Sequence, residues 1–411
     1  MGKSEQVIVI GGGIVGLAIA EKLIAEGHDV TLVEKDEIAA GASQGNAAGL
    51  AFSDIMPLAS PGIIKKAIKW FLDPVGPFSV VVPDLPHTMG WLLRFLKAAR
   101  PSQFNKSISV QATLMHLGKK TFPEMLERNG LTSMVRANGG LHLYQSEDSY
   151  KADLEKWAFR KKHNIAFECY EGQALHDFQP GLDKSFIAGI FAPEWQSVSN
   201  PLDFCKAIHK AATAKGLKTV YGEVEKIADT QVTLASGDVI TADKIVLAAG
   251  PWSSRLSEKL GDPVPVIGER GYNTTLPKTA FEGLDHTLIF SDHAFVVVPL
   301  SDGIRVGGAS EIATVDRAPN YQRSKAMMKK AEKLLPGLTN KDGVEWMGAR
   351  PAIPDTLPVI GYSSKSNKII YAFGHGHLGL TQSTATAELV SELLAGRQTS
   401  MDITALRVNR F

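Results

Sequence analysis

Cysteine is nearly missing from this 411-residue chain, which holds only Cys169 and Cys205, at no zinc or redox spacing. A disulfide scaffold, a Cys-ligated zinc and an iron–sulfur cluster are therefore excluded, and a reducing, cytoplasmic setting is expected. A charge surplus is missing too. The 44 Lys and Arg face 43 Asp and Glu, for a net charge of +1, which argues against a nucleic-acid partner held by general basicity. No apolar run reaches the ~18 residues of a membrane span. A short polar stretch precedes Val7-Ile8-Val9-Ile10, so no signal peptide is expected, and Gln6 stands where a myristoylation signal wants Ser or Thr. With 44% hydrophobic and 21% charged residues the chain reads as globular, and its length suggests two to three domains at ~150 residues each.

What is present begins with a βαβ unit. Val7–Ile10 reads as a buried strand, Gly11-Gly12-Gly13-Ile14-Val15-Gly16 follows, a helix pattern runs to Ala25, and Val30–Val33 reads as a second strand ending at Glu34. The glycines fit G-x-G-x-x-G in the context that gives the motif meaning. Gly11 permits a tight turn, Gly13 a close approach to a pyrophosphate, and Gly16 close helix–strand packing, with the helix N-terminus facing the phosphates. Glu34 is placed to accept hydrogen bonds from ribose hydroxyls. The alternative is a glycine turn in an ordinary α/β protein.

Two distant segments favour FAD over a nicotinamide. Thr241–Gly250 is an apolar strand ending in small residues, and Gly374–Thr381 is a glycine-rich turn before a C-terminal helix over about 380–396. That helix start would stabilise negative charge on a reduced flavin. Between these lie helix patterns over 86–99, 107–128, 147–162, 201–215 and 320–334, and strand-like runs at 139–144, 218–221, 231–234, 264–310 and 368–372.

On these residues the chain resembles the D-amino acid oxidase superfamily, and most of all bacterial D-amino acid dehydrogenases. The markers are the fingerprint with Glu34, the loop Ala42-Ser43-Gln44-Gly45-Asn46-Ala47-Ala48, the run Ala59-Ser60-Pro61-Gly62, the run Gly348-Ala349-Arg350-Pro351…Asp355…Leu357-Pro358-Val359-Ile360-Gly361, and the 374–381 loop. The chain departs from the family pattern at Ala47-Ala48 and at Arg270, where many dehydrogenases carry Lys. The resemblance implies an α/β fold, with a Rossmann-like FAD-binding domain (1–52, 150–258 and 345–411) and a substrate domain on an antiparallel sheet (53–149 and 259–344). It implies noncovalent FAD contacted by Gly11, Gly13, Ile14, Val15, Gly16, Glu34, Lys35, Ala42, Ser43, Asn46, Ala47, Ala48, Gly49, Leu50, Val224, Ala249, Gly250, Trp252, Arg350, Gly374, His375, Gly376, His377, Leu378, Gly379 and Thr381.

The implied reaction is oxidation of the CH–NH bond of a D-amino acid, with D-proline or hydroxy-D-proline as candidates and a quinone or other respiratory carrier as acceptor. The alternatives are a glycine/sarcosine-type oxidase, a tRNA-modifying flavoprotein and a non-catalytic FAD-binding subunit. No obligatory protein base is required, and none is assigned. Arg350 suits bidentate carboxylate binding, against the alternative of a structural pair with Asp355. Arg270, Tyr272, His293 and His377 are further substrate-binding candidates, with Phe295 beside His293 on one strand. His375 and His377 have H-x-H spacing but no companion ligands, so a flavin loop is expected rather than a metal site. Ile63–Leu72 interleaves apolar residues with Lys65, Lys66 and Lys69. It fits either a packed helix with a solvated face or a peripheral contact on the inner face of the cell membrane.

Overall fold

The computed structural model describes residues 4–62 and 78–411. The lysine-rich 63–72 helix pattern lies outside the described residues. Strand β1 (Gln6–Ile10) is the sheet's centre because it is apolar on both faces. It pairs in parallel with β2 (Asp29–Glu34) on one side and with Lys244–Leu247 on the other. Lys218–Tyr221 joins beyond β2, Ile369–Phe373 joins beyond Lys244–Leu247, and Val359–Tyr362 closes the far edge antiparallel.

Alternation along β1 divides the core. Val7 and Val9 pack with α1 (Ile14–Ala25), the Pro201–Ala214 helix and the C-terminal helix Gly379–Leu394. Ile8 and Ile10 pack with Ile227, Val232 and Leu234 of a three-stranded antiparallel meander. Cover on both faces is the condition under which parallel strands read as continuous apolar runs.

The second sheet has nine strands and is largely antiparallel. Its long members are Ile267–Leu276, Ile304–Ala313 and Val344–Ala352, with Ile267–Leu276 in the middle. Thr287–Phe290 joins Gly140–Tyr144 in parallel, which links the C-terminal strands to Ala188–Ala192 and Glu168–Glu171. Helix Gln322–Leu334 covers one face through Met327, Met328, Ala331 and Leu334. The result is the expected α/β class, a Rossmann-like sheet beside an antiparallel one.

Sheet membership differs from the sequence-based division at two places. The sequence-based division places 168–192 with the nucleotide-binding segments, whereas the strands there extend the second sheet. Val344–Ala352 likewise pairs with Ile267–Leu276. A strand belongs to the edge whose backbone groups it satisfies, and alternation in a sequence does not reveal that partner. The helix expected at 107–128 begins earlier, at Pro101, whose fixed φ and missing N–H suit a first helical turn.

Candidate functional site

At the end of β1 the glycines have separate tasks. Gly11 has φ +109°, and a Cβ there would stand 2.5 Å from the Ala248 carbonyl oxygen. At Gly16 a Cβ would stand 1.9 Å from the Gly11 oxygen, so α1 seats against the turn only because both lack side chains. Gly13 caps α1 in extended conformation with no side-chain cap. The Glu34 carboxylate accepts from the Gly12 and Asp36 amides. Ser43 Oγ accepts from the Ile14 amide at 3.0 Å, which binds the 42–49 loop to the helix start.

From this turn a cavity of about 1110 Å³ runs to the face of the second sheet. One end is bordered by Glu34, Lys35, Val224, Ala249, Gly250 and Trp252, with the Lys35 ammonium 4.0 Å from the Trp252 ring. Ala42, Ser43, Asn46, Ala47 and Gly49 form one wall and Gly374–Thr381 another. The Asn46 side chain bonds the Ser43 carbonyl and the Ala48 amide, so it shapes the loop rather than reaching inward. Thr381 Oγ1 is likewise committed, to the Ala51 amide and the Gly49 carbonyl. His375 is buried with Nε2 on Thr386 Oγ1, and burial pushes it down to about 3, so it stays neutral.

The far end lies over the second sheet. Arg350 stands opposite Glu269 in register and donates from Nη1 to Glu269 Oε1 (2.9 Å) and Ser310 Oγ (3.1 Å). Its guanidinium crosses over Gly271, where a Cβ would lie 2.5 Å from Nη2. Asp355, the alternative partner, is instead held by Arg410 at 2.8 Å. Arg350 thus lines the cavity with donors left over. Burial disfavours charge on Glu269, but Arg350 and the Ser310 hydroxyl outweigh it and hold the carboxyl below its ordinary range.

Beside this pair His377 Nε2 meets Asp54 Oδ2 at 3.3 Å, and Arg160 lies 3.8 Å from Oδ1. Burial opposes ionisation of Asp54, yet the His377 hydrogen bond and the Arg160 guanidinium keep it low. His142, pushed down to about 4 by burial and by Arg160, sits edge-on to Trp157 and Trp195. These residues wall a chamber that is polar at one side and aromatic at the other.

The remaining expected residues lie elsewhere. Arg270 is fully buried behind the sheet, 3.2 Å from Glu311 and bonded to the Ala318 carbonyl. Tyr272 touches the cavity at a bulge, but its hydroxyl donates to Glu311. His293 lies outside the cavity lining with Nε2 on Gln145 Oε1. Gly16, Ala48 and Leu50 stand behind the wall. Residues the sequence reading missed are Glu269, Ser310, Asp54, His142, Arg160, Trp195 and Arg305. A signal existed for Glu269: in Gly268–Tyr272 the two-residue period puts Glu269 and Gly271 on the face opposite Arg270. Arg305 is buried, donates to the Asn46 carbonyl and Thr275 Oγ1, and is pushed down to about 10 by burial. Among the described residues no His, Cys, Asp and Glu group could hold a metal, and no helix is long and apolar enough to cross a membrane.

The glycine cradle, Glu34 and a cavity larger than the usual ~300–1,000 Å³ ligand site fit a dinucleotide as long as FAD with space for a small substrate. Comparison with known proteins agrees. The family model DAO, described as FAD dependent oxidoreductase, matches residues 6–393. A D-amino-acid oxidase of Bradyrhizobium diazoefficiens is 31% identical over all of both chains. A D-amino acid dehydrogenase of the same organism is 29% identical over 99% of each. Among solved structures, glycine oxidase from Geobacillus kaustophilus superposes with a TM-score of 0.78 at 21% identity, covering 99% of both chains. L-proline dehydrogenase from P. horikoshii gives 0.75 at 20% identity, covering 100% of this chain and 98% of that one.

Proposed function

The chain belongs to the DAO family of FAD dependent oxidoreductases, and from that premise we propose that it oxidises the CH–NH bond of a D-amino acid and passes the electrons to a quinone or other respiratory carrier. The observation that carries this reading is Arg350, a cation lining the cavity with donors free of structural duty. When bound, FAD supplies the hydride acceptor for the substrate carbon. The protein's part is to bind, orient and keep water away. Arg350 takes the carboxylate, and Gly271 leaves the space in which its guanidinium lies flat. The N-terminus of helix Gly379–Leu394 opens into the cavity without a side-chain cap and offers amide N–H groups to negative charge. His142, Trp157 and Trp195 bound the room for the substrate side chain, and their flat, largely apolar rings are suited to an apolar ring such as that of proline or hydroxyproline.

A lipid-soluble acceptor is supported by helix Leu85–Ala98, which exposes Met89, Leu93 and Leu96 beside Arg94 and Lys97. The relative named an oxidase supports a second reading, in which O₂ takes the electrons. The deciding experiment is anaerobic bleaching of the flavin by a panel of D- and L-amino acids including proline and 4-hydroxyproline, followed by reoxidation with a quinone or with air. Arg350→Ala is expected to raise the half-saturating substrate concentration at least 100-fold while flavin stays bound. Bleaching unchanged in that variant refutes the anchor.

A further inference from the structure

The pair at the end of the cavity is asymmetric. Glu269 Oε1 is filled by the Arg350 guanidinium and the Ser310 hydroxyl. Oε2 has no partner among the described residues, and although the residue is nine-tenths buried this oxygen is not sealed off. A carboxylate set beside the anchoring arginine works against a ligand that brings negative charge alone, because it offsets the guanidinium and repels a second carboxylate. It favours a ligand whose carboxylate carries a cationic or N–H-donating neighbour one carbon away. An α-amino acid is such a ligand.

Resting on the amino-acid reading above, we infer that Glu269 is the amine-recognition residue: with the substrate carboxylate on Arg350, Oε2 accepts a hydrogen bond from the substrate nitrogen. The same contact bears on the reaction. The substrate ammonium first gives a proton to solvent; from the neutral amine the Cα–H bond breaks with its electron pair leaving as hydride to FAD, and the freed nitrogen lone pair forms the C=N bond of an iminium. Positive charge therefore grows on nitrogen, next to a carboxylate already in place. Glu269 takes no electrons and needs to take no proton. The bland alternative, that Glu269 only positions Arg350, makes a different forecast. It would make every carboxylate ligand suffer alike when Glu269 is altered.

The test compares the amino acid that bleaches best in the panel with its nitrogen-free isostere, cyclopentanecarboxylate for proline or isobutyrate for alanine. Binding of each is followed by the change in flavin absorbance, with the isostere also displacing the amino acid. Glu269→Gln is expected to weaken the amino acid roughly 10- to 100-fold, the scale of one hydrogen bond to a charged group, and to leave the isostere equal or tighter. Equal loss for both ligands, or loss for neither, overturns the inference and leaves the function standing. If the wild type is bleached by no amino acid, the function reading fails and this inference with it. Should Glu269→Gln not retain flavin, the wild type decides alone: an amino acid and its isostere bound with equal affinity refute amine recognition.

Discussion

Replacing Gly271 by Ala separates substrate anchoring from folding. The added methyl would stand 2.5 Å from Arg350 Nη2, 2.7 Å from Cζ and 3.1 Å from Nε, whereas ordinary contact begins at 3.4 Å. The guanidinium must retreat by about 1 Å, and the colliding atoms are the free end of a flexible side chain. Gly271 has no positive φ, and Ala is the better residue inside a strand, so stability should change by less than about 1 kcal/mol. Substrate binding should not escape. A displaced guanidinium gives up hydrogen bonds between charged partners of about 1.5–3 kcal/mol each, equivalent to roughly 10- to 150-fold in affinity. Anaerobic titration of the flavin spectrum gives the half-saturating concentration, and thermal melting reports the fold. A variant that melts like wild type and saturates at the wild-type concentration would show that Arg350 is not the anchor.

Two other outcomes follow from the same structure. Arg410→Ala leaves Asp355 without its ion-pair partner in a largely buried place and should lower unfolding free energy by about 3 kcal/mol, seen as a lower denaturant midpoint, with substrate half-saturation unmoved. His375 is held neutral, with its pKa pushed down to about 3 by burial, while the unfolded chain protonates near 6.5. Its contribution is complete above pH 6.5 and falls away as pH drops toward 3, at up to about 1.4 kcal/mol per pH unit. Denaturant midpoints at pH 7 and 5 should therefore fall less steeply for His375→Gln than for wild type. Parallel acid profiles would contradict the burial argument.

The nucleotide half was legible because its glycines have backbone meaning. Gly11 and Gly16 stand where any Cβ collides, so spacing between a strand and a helix was enough to place them. The sheet half was legible only in part. Alternation marks 264–310 only as a strand-like stretch, without the bounds of Ile267–Leu276, and which parity faces the cavity is set by the sheet's neighbours: Arg270 is the sequence candidate, whereas Glu269 and Gly271 face the site. That Asp355 is not the partner of Arg350 turns on Arg410, 55 residues from Asp355, a pairing no local pattern announces. His142, Arg160 and Trp195 were missed for a similar reason. They come from segments that meet only when the second sheet takes Gly140–Tyr144 and Ala188–Ala192 as neighbours. Glu34 borders the cavity and also fastens the Gly12 amide, a second task that spacing alone does not announce.

The central strand of the first sheet is completed from far away: the Gln6 amide bonds Asp243, 237 residues on, and Lys244–Leu247 in turn awaits Ile369–Phe373. A nascent chain that has exposed only its glycine turn therefore owns half a cradle. Ile369–Phe373 leads directly into Gly374–Thr381, so the cavity gains this wall only once that strand has joined the sheet. A chain cut before Ile369 should accordingly fail to retain flavin, seen as loss of its visible absorbance after purification.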